Sequence, residues 1–195
     1  MIFRAIKFVA EAHSGQYRKG TNIPYISHLM NVMKILCETG CDKEIITAGI
    51  LHDVVEDTSV TIEQVERIFG NRVAILVKGA SEPDHLRQGL DAKISWRLRK
   101  QHTIDFISRE ATLDQLLVSC ADKLDNIEAI RQDAISKGEK VWERFNVPKA
   151  DQQWYYKTVA AAMEKRSQES VGSLNNLARK LTLTFNEVFG ELLKQ

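Results

Sequence analysis

Apolar side chains recur along this chain at i, i+3 and i+4 through most segments, and strand-like alternation with a period of two is nearly absent. Only three prolines and ten glycines interrupt the pattern. It predicts an all-α protein. A first helix is expected over about residues 2–13, and the polar loop SGQYRKGTNIP separates it from a second over about 25–39, stopped by Gly40. A third follows over about 42–56. Thr61-Ile62-Glu63-Gln64 and Thr112-Leu113-Asp114-Gln115 both have the form of a capping box. The first should open a short helix ended by Gly70, the second a helix running to about Lys137. SEPDHLRQGLDAKISWRLRK reads as polar and irregular until helical spacing resumes near Ile94. After Pro148, two more helices are expected over about 151–168 and 173–193.

The third helix breaks the usual division of faces. Its end, GILHDVVEDTSV, sets His52, Asp53, Glu56 and Asp57 among aliphatic residues. Side chains three and four positions apart share a helix face, so His52 with Glu56, Asp53 with Glu56 and Asp53 with Asp57 form one patch. At about 100° per residue, Ile45, Ile46 and Gly49 lie on the same side, which makes the helix apolar nearly all round. Such a helix is buried. Buried charges must be paired, neutralised or bound to a metal, which favours a functional site over a solvated face.

At 195 residues the chain suits a single domain, 1–195, large enough to bury a core, and 44% hydrophobic with 27% charged residues is the balance of a soluble protein. The net charge of +1 gives no electrostatic reason to expect a nucleic acid or an anionic membrane as partner. No apolar run approaches the roughly 18 residues of a membrane span, and MIFRAIKFVAEAH carries charge throughout, so a cytoplasmic location is expected. Cys37, Cys41 and Cys120 form no C-x-x-C pair and read as buried free thiols. The oligomeric state stays open, a homo-oligomer included.

His52-Asp53 offers one imidazole and one carboxylate, the ligand types a divalent metal in a hydrolase uses, but two ligands are too few. Other helices must complete the shell. The candidates are His28 in PYISHLMNVMKIL and Asp122 in LLVSCADKLDNIEAI, each a polar residue inserted into an apolar pattern. Taken alone, His28 also reads as a hydrogen-bonded core histidine and Asp122 as the partner of a lysine.

In joint order, His, then His-Asp, then Asp within an apolar helix, the chain resembles the HD-superfamily phosphohydrolases. The resemblance narrows to the hydrolase half of the RelA/SpoT-type stringent-response enzymes and the stand-alone small alarmone hydrolases. It covers at least residues 8–130, through AHSGQYRKG, PYISH, AGILHDVVEDT, FGNRVAILVKGAS and CADKLDNI in that order. The resemblance implies an HD-type helical bundle of about eight to ten helices. It also implies one divalent ion, manganese, held by His28, His52, Asp53 and Asp122, and removal of the 3′-pyrophosphate from ppGpp or pppGpp. Glu56 and Asp57, one turn beyond the ligands, would then orient water and move its proton. Arg18 and Lys19 match cations near the nucleotide, and Asn126 matches a ribose and phosphate contact.

The pattern departs from the family's in two places. Asp122-Lys123-Leu124-Asp125-Asn126 stands where the bifunctional enzymes often read D-R-L-H-N, with Ala129 where they have a threonine. The loop between Arg18 and Pro24 also differs in length, which leaves adenosine alarmones open beside guanosine ones. Tyr25 reads as a core tyrosine rather than a base-packing one. Arg97, Arg99 and Lys100 read as an exposed basic face that could also reach phosphates, and Trp96, Trp142 and Trp154 as core or interface anchors. Two rival functions are another HD nucleotide phosphohydrolase, such as a nucleotidase or deoxynucleotide triphosphohydrolase, and a nucleotide-sensing HD module without turnover. The complete ligand and proton-transfer set favours an enzyme.

Overall fold

The computed structural model describes residues 1–82, 86, 91–168 and 172–191. Among them the regular structure is helical, and the β-type pairing is an isolated bridge between Tyr17 and Pro24. The helices are α1 (Ile2–Ala12), α2 (Ile26–Glu38), α3 (Lys43–Leu51), α4 (Val54–Asp57), α5 (Ile62–Phe69), α6 (Asn71–Ala80), α7 (Ala92–Arg109), α8 (Leu113–Lys137), α9 (Lys149–Ser167) and α10 (Ser173–Asn186). A 3₁₀ segment, Gly138–Arg144, follows α8, and a π-helical turn, Glu187–Glu191, follows α10. None of these helices is long and apolar enough to cross a membrane.

Local chemistry sets the ends. The Asp42 carboxylate accepts from the amides of Glu44 and Ile45 and so starts α3. Thr61 and Gln64 exchange the two hydrogen bonds of a capping box at α5, and Thr112 and Gln115 do the same at α8. Gly70, at φ 97°, ends α5 and leads directly into α6, a helix the sequence pattern had not separated. The third expected helix is shorter than its apolar pattern: α3 stops at Leu51 and the chain restarts as α4. Of the stretch expected to be irregular, residues 83–85 and 87–90 lie outside the described residues, as do 192 and 193 of the last helix.

Contacts group the chain into two compact units. The first comprises Met1–Ser81 with Thr112–Asp122, the second Glu82–Ala111 with the chain from Lys123. At the centre of the first, α3 packs against α1, α2 and α6, which buries every residue from Ile45 to Leu51. The helix is thus apolar on all sides because it is covered on all sides. Arg72 on α6 ties its surroundings together, donating to Asp42, Glu44 and Asp114 at 2.7–2.8 Å.

In the second unit α9 packs against α7 and α10. Its guanidinium Arg166 donates to the carbonyls of Ile107 and Ala111, satisfying acceptors at the end of α7. Trp142 is buried against Phe145 and Phe189, whereas Trp96 and Trp154 are half-buried and meet edge to face. The thiols are free, but only Cys120 is buried. Cys37 faces outward near the end of α2, so the expectation of three buried thiols fails there. Partial burial, with the Asp42 and Asp114 carboxylates, pushes the Cys41 thiol up to about 11.

Gly49 sets the distance between α3 and α2. A Cβ there would run into Leu36 Cδ1 and come within 3.3 Å of Val32 Cγ1. Gly49→Ala is therefore expected to lower stability by about 1–3 kcal/mol, the usual range for overpacking. Its denaturation midpoint should fall, and metal content should fall with it, because the same spacing holds His28 against His52. An unchanged midpoint would mean that Leu36 turns aside freely.

Candidate metal centre

Helix α2 carries His28 on the face that also buries Leu29, Val32 and Leu36, and the ring is 1% exposed. The end of α3 supplies His52, equally buried. On an unbroken helix the next side chain would diverge by about 100°. Here the regular helix stops at Leu51 and resumes at Val54, with His52 still helical at φ −56° and ψ −35° and Asp53 shifted to φ −95° and ψ −5°. At this interruption between α3 and α4, His52 Nε2 and Asp53 Oδ2 lie 3.0 Å apart. The motif therefore lies between two helices, not inside one.

Four ligand-type atoms converge. His28 Nε2 and His52 Nε2 are 3.2 Å apart, and His28 Nε2 lies 3.5 Å from Asp53 Oδ2. Asp122 Oδ1, from α8, lies 3.3 Å from His28 Nε2 and 3.5 Å from His52 Nε2. The geometry thus gathers His28, His52 and Asp53 within 4.8 Å of one another and sets Asp122 beside both imidazoles.

The protonation pattern suits a cation. His52 Nδ1 stands 2.8 Å from the Gly49 carbonyl, which can only accept, so Nδ1 carries the hydrogen and a neutral ring turns the Nε2 lone pair inward. Imidazole nitrogens and carboxylate oxygens this close repel one another unless a proton or a metal lies among them. Burial opposes charge on His52, but Asp53 and Asp122 hold its pKa well above the usual histidine range. Burial likewise opposes ionisation of Asp53, and the two imidazoles hold it well below the carboxylate range. Two nitrogens with hard oxygens at this spacing fit a divalent transition ion.

Tyr25 is the residue whose role the sequence misjudged. It is not a plain core tyrosine: its hydroxyl donates to Asp53 Oδ2 at 2.5 Å, and its ring stacks on His13 at 5.1 Å. Burial and the surrounding carboxylates push the phenol far above its usual range, so it remains a donor. Nothing in PYISH announces that bond, because Asp53 is 28 residues away.

Glu56 and Asp57 stand on α4, directly beyond Asp53, and the Asp57 amide donates to the Asp53 carbonyl at 2.9 Å. Although the Asp57 side chain reaches the surface, partial burial and the Asp53 charge raise its pKa. Arg18 and Lys19 stand on the loop before α2, Arg18 half-buried and Lys19 exposed, so a loop rather than a helix carries them. Asn126 follows Asp122 by one turn on α8 and is half-buried. Of the face expected to be exposed, Arg97 is exposed, whereas Arg99 and Lys100 are half-buried and paired. Glu82, buried, binds Arg99 at 2.6 Å and Lys100 at 2.8 Å, while Arg97 stacks on Trp154 and faces Asp151. A buried carboxylate within reach of both cations accounts for the difference, and no helical spacing on α7 reveals it.

Comparison with known proteins agrees with this geometry. The HD domain family matches residues 5–147. A relative from Danio rerio, named guanosine-3′,5′-bis(diphosphate) 3′-pyrophosphohydrolase MESH1, is 32% identical over 135 residues, covering 68% of this chain and 70% of its own. A Synechocystis relative, named probable guanosine-3′,5′-bis(diphosphate) 3′-pyrophosphohydrolase, is 34% identical over 141 residues, and the chain spans only 17% of its length. Among solved structures, a metazoan SpoT ortholog described as hydrolysing ppGpp superposes with a TM-score of 0.72 at 28% identity, over 95% of this chain and 94% of that one. An HD domain implies a divalent metal, and the cluster of His28, His52 and Asp53 is where the donor atoms for one come together. By the extent of these matches and the convergence of its ligand atoms, the chain belongs to the HD-domain family, among relatives named guanosine-3′,5′-bis(diphosphate) 3′-pyrophosphohydrolases.

Proposed function

We propose that this protein removes the 3′-pyrophosphate of a guanosine alarmone such as ppGpp, releasing pyrophosphate and leaving the 5′-phosphates intact. The observation that carries this reading is the convergence of two imidazoles and two carboxylates immediately before the Glu56-Asp57 turn, in a chain whose relatives bear that name. His28, His52, Asp53 and Asp122 are the proposed ligands, with manganese as the ion. When bound, such an ion supplies Lewis-acid neutralisation of phosphoryl charge and acidifies water.

The remaining work falls to the protein's own groups. Tyr25 holds the Asp53 carboxylate in one orientation through its hydroxyl. Glu56 and Asp57 orient the attacking water and take its proton. Arg18 and Lys19 meet the nucleotide from their loop, and Asn126 contacts ribose or phosphate from α8. In-line attack at phosphorus then needs mainly positioning and charge neutralisation. The family match across residues 5–147 draws on both compact units and the superposed SpoT ortholog covers 95% of this chain, which supports one HD-type domain over the whole chain. A cytoplasmic setting, where free thiols and nucleotide substrates are at home, belongs to the same reading.

Product identity tests it. Metal-loaded protein should release pyrophosphate from ppGpp, with its adenosine counterpart, dGTP and a nucleoside monophosphate as comparisons. Triphosphate from dGTP or orthophosphate from the monophosphate, with both alarmones intact, would move the protein to another HD activity. Because recognition is assigned to a loop and not to the ligand cluster, Arg18→Ala should raise KM more than it lowers kcat. A fall in kcat with KM unchanged would remove Arg18 from substrate binding.

A further inference from the structure

Gln16 occupies a junction that the proposed reaction does not yet use. Its backbone carbonyl accepts from the Tyr25 amide at 2.9 Å, closing the loop that carries Arg18 and Lys19, and the Tyr17–Pro24 bridge reinforces that closure. The Gln16 side-chain nitrogen donates to the Asp57 carbonyl at 2.9 Å, across 41 residues of sequence. Its side-chain oxygen, 2.8 Å from His13 Nδ1, must accept, so the histidine donates from Nδ1. His13 is 4% exposed, and its other nitrogen, Nε2, is buried without a hydrogen-bond partner. Such a nitrogen is costly to keep unless the ring serves something else. The ring stacks on Tyr25, whose hydroxyl holds Asp53.

Two connections therefore run from one point. One goes from His13 through Tyr25 to a carboxylate of the ligand cluster, the other from His13 through Gln16 to the end of the helix bearing Glu56 and Asp57. We propose that His13 and Gln16 form a positioning clamp, which holds the end of α4 and the substrate-facing loop in register with the Tyr25–Asp53 pair. Neither residue reaches the reacting atoms; each acts through the groups it holds. The consequence for catalysis rests on the alarmone-hydrolase reading, whereas the mechanical consequence for α4 does not.

Three variants of the full chain separate positioning from packing. Gln16→Glu keeps an acceptor for His13 but cannot donate to the Asp57 carbonyl. His13→Asn keeps a donor where Nδ1 stands and loses the ring, while His13→Phe keeps the ring and loses the donor. Each is read for kcat and KM with ppGpp, bound manganese, melting temperature and hydrogen exchange at the Asp57 amide. Gln16→Glu should exchange that amide at least about tenfold faster and lower kcat about 10- to 100-fold, as small misplacements of reacting groups do. Its manganese content should stay parental and its KM within about threefold, since neither ligands nor Arg18 change. His13→Phe, which removes the unpaired nitrogen but leaves the Gln16 oxygen without its donor, should lose more turnover than its melting temperature accounts for, and His13→Asn should retain more turnover despite losing the stack. Parental kcat and parental exchange in Gln16→Glu would overturn the clamp, as would turnover that simply follows melting temperature across the three. If the parent leaves alarmones intact, the functional reading fails by itself, and Asp57 exchange decides the clamp.

Discussion

His52→Ala and Asp122→Ala should each abolish stable binding of a divalent ion and all measurable hydrolysis. The ligand atoms of these residues lie 3.5 Å from each other and within 3.3 Å of His28 Nε2, so each variant removes one wall of a small, shared site. Loss of an outer hydrogen bond at a metal site costs about 10- to 100-fold in affinity, and loss of a ligand should exceed that. A thermal shift gives a readout independent of substrate. An ion present at about 100 times its Kd stabilises the folded protein by about 2.7 kcal/mol. For a chain of this size, that corresponds to a rise of about 5–10 °C in Tm. Manganese should produce such a rise in the parent and none in either variant, and metal analysis after dialysis should agree. Full metal content in both variants would show that the ion, if any, binds elsewhere.

Glu56→Gln should give the opposite pairing of results, with the ion retained and the chemistry lost. The substitution preserves size and removes only the ability to hold a proton, on a helix that starts directly after Asp53. General acid/base groups contribute about 10²–10⁴ in rate, so kcat should fall by at least about 10². KM should change little, because the uncharged amide takes no part in holding the nucleotide. The manganese-induced rise in Tm is the control, and it should match the parent's. Were Glu56→Gln to turn over at the parental rate, the proton would have to pass through Asp57 or another group, and Glu56 would be a helix-surface carboxylate.

Much of this architecture is legible residue by residue. The two capping boxes and the glycines at 40 and 70 mark helix ends where the structure has them, because caps are satisfied by residues two or three positions away. Burial of α3 on every side also follows from its own composition, since no face of Ile45–Leu51 is suited to water. His28, His52, Asp53 and Asp122 stand out for the same reason: a titratable group in an apolar helix has few inexpensive explanations.

Other features depend on packing between distant segments. The regular helix is interrupted at His52-Asp53 although the apolar pattern runs on, and there His52 Nε2 and Asp53 Oδ2 lie 3.0 Å apart. Tyr25 meets Asp53 across 28 residues and Gln16 meets Asp57 across 41, and neither pairing leaves a periodic trace. Arg99 and Lys100 look free on α7 until Glu82 is found beside them, and Cys37 looks like a core thiol until α2 is seen to turn it outward. Periodicity and capping are local effects, carried by neighbours within about one helical turn, so they can be read from order alone. Hydrogen bonds and ion pairs between segments need angles and distances that exist only once the helices have packed.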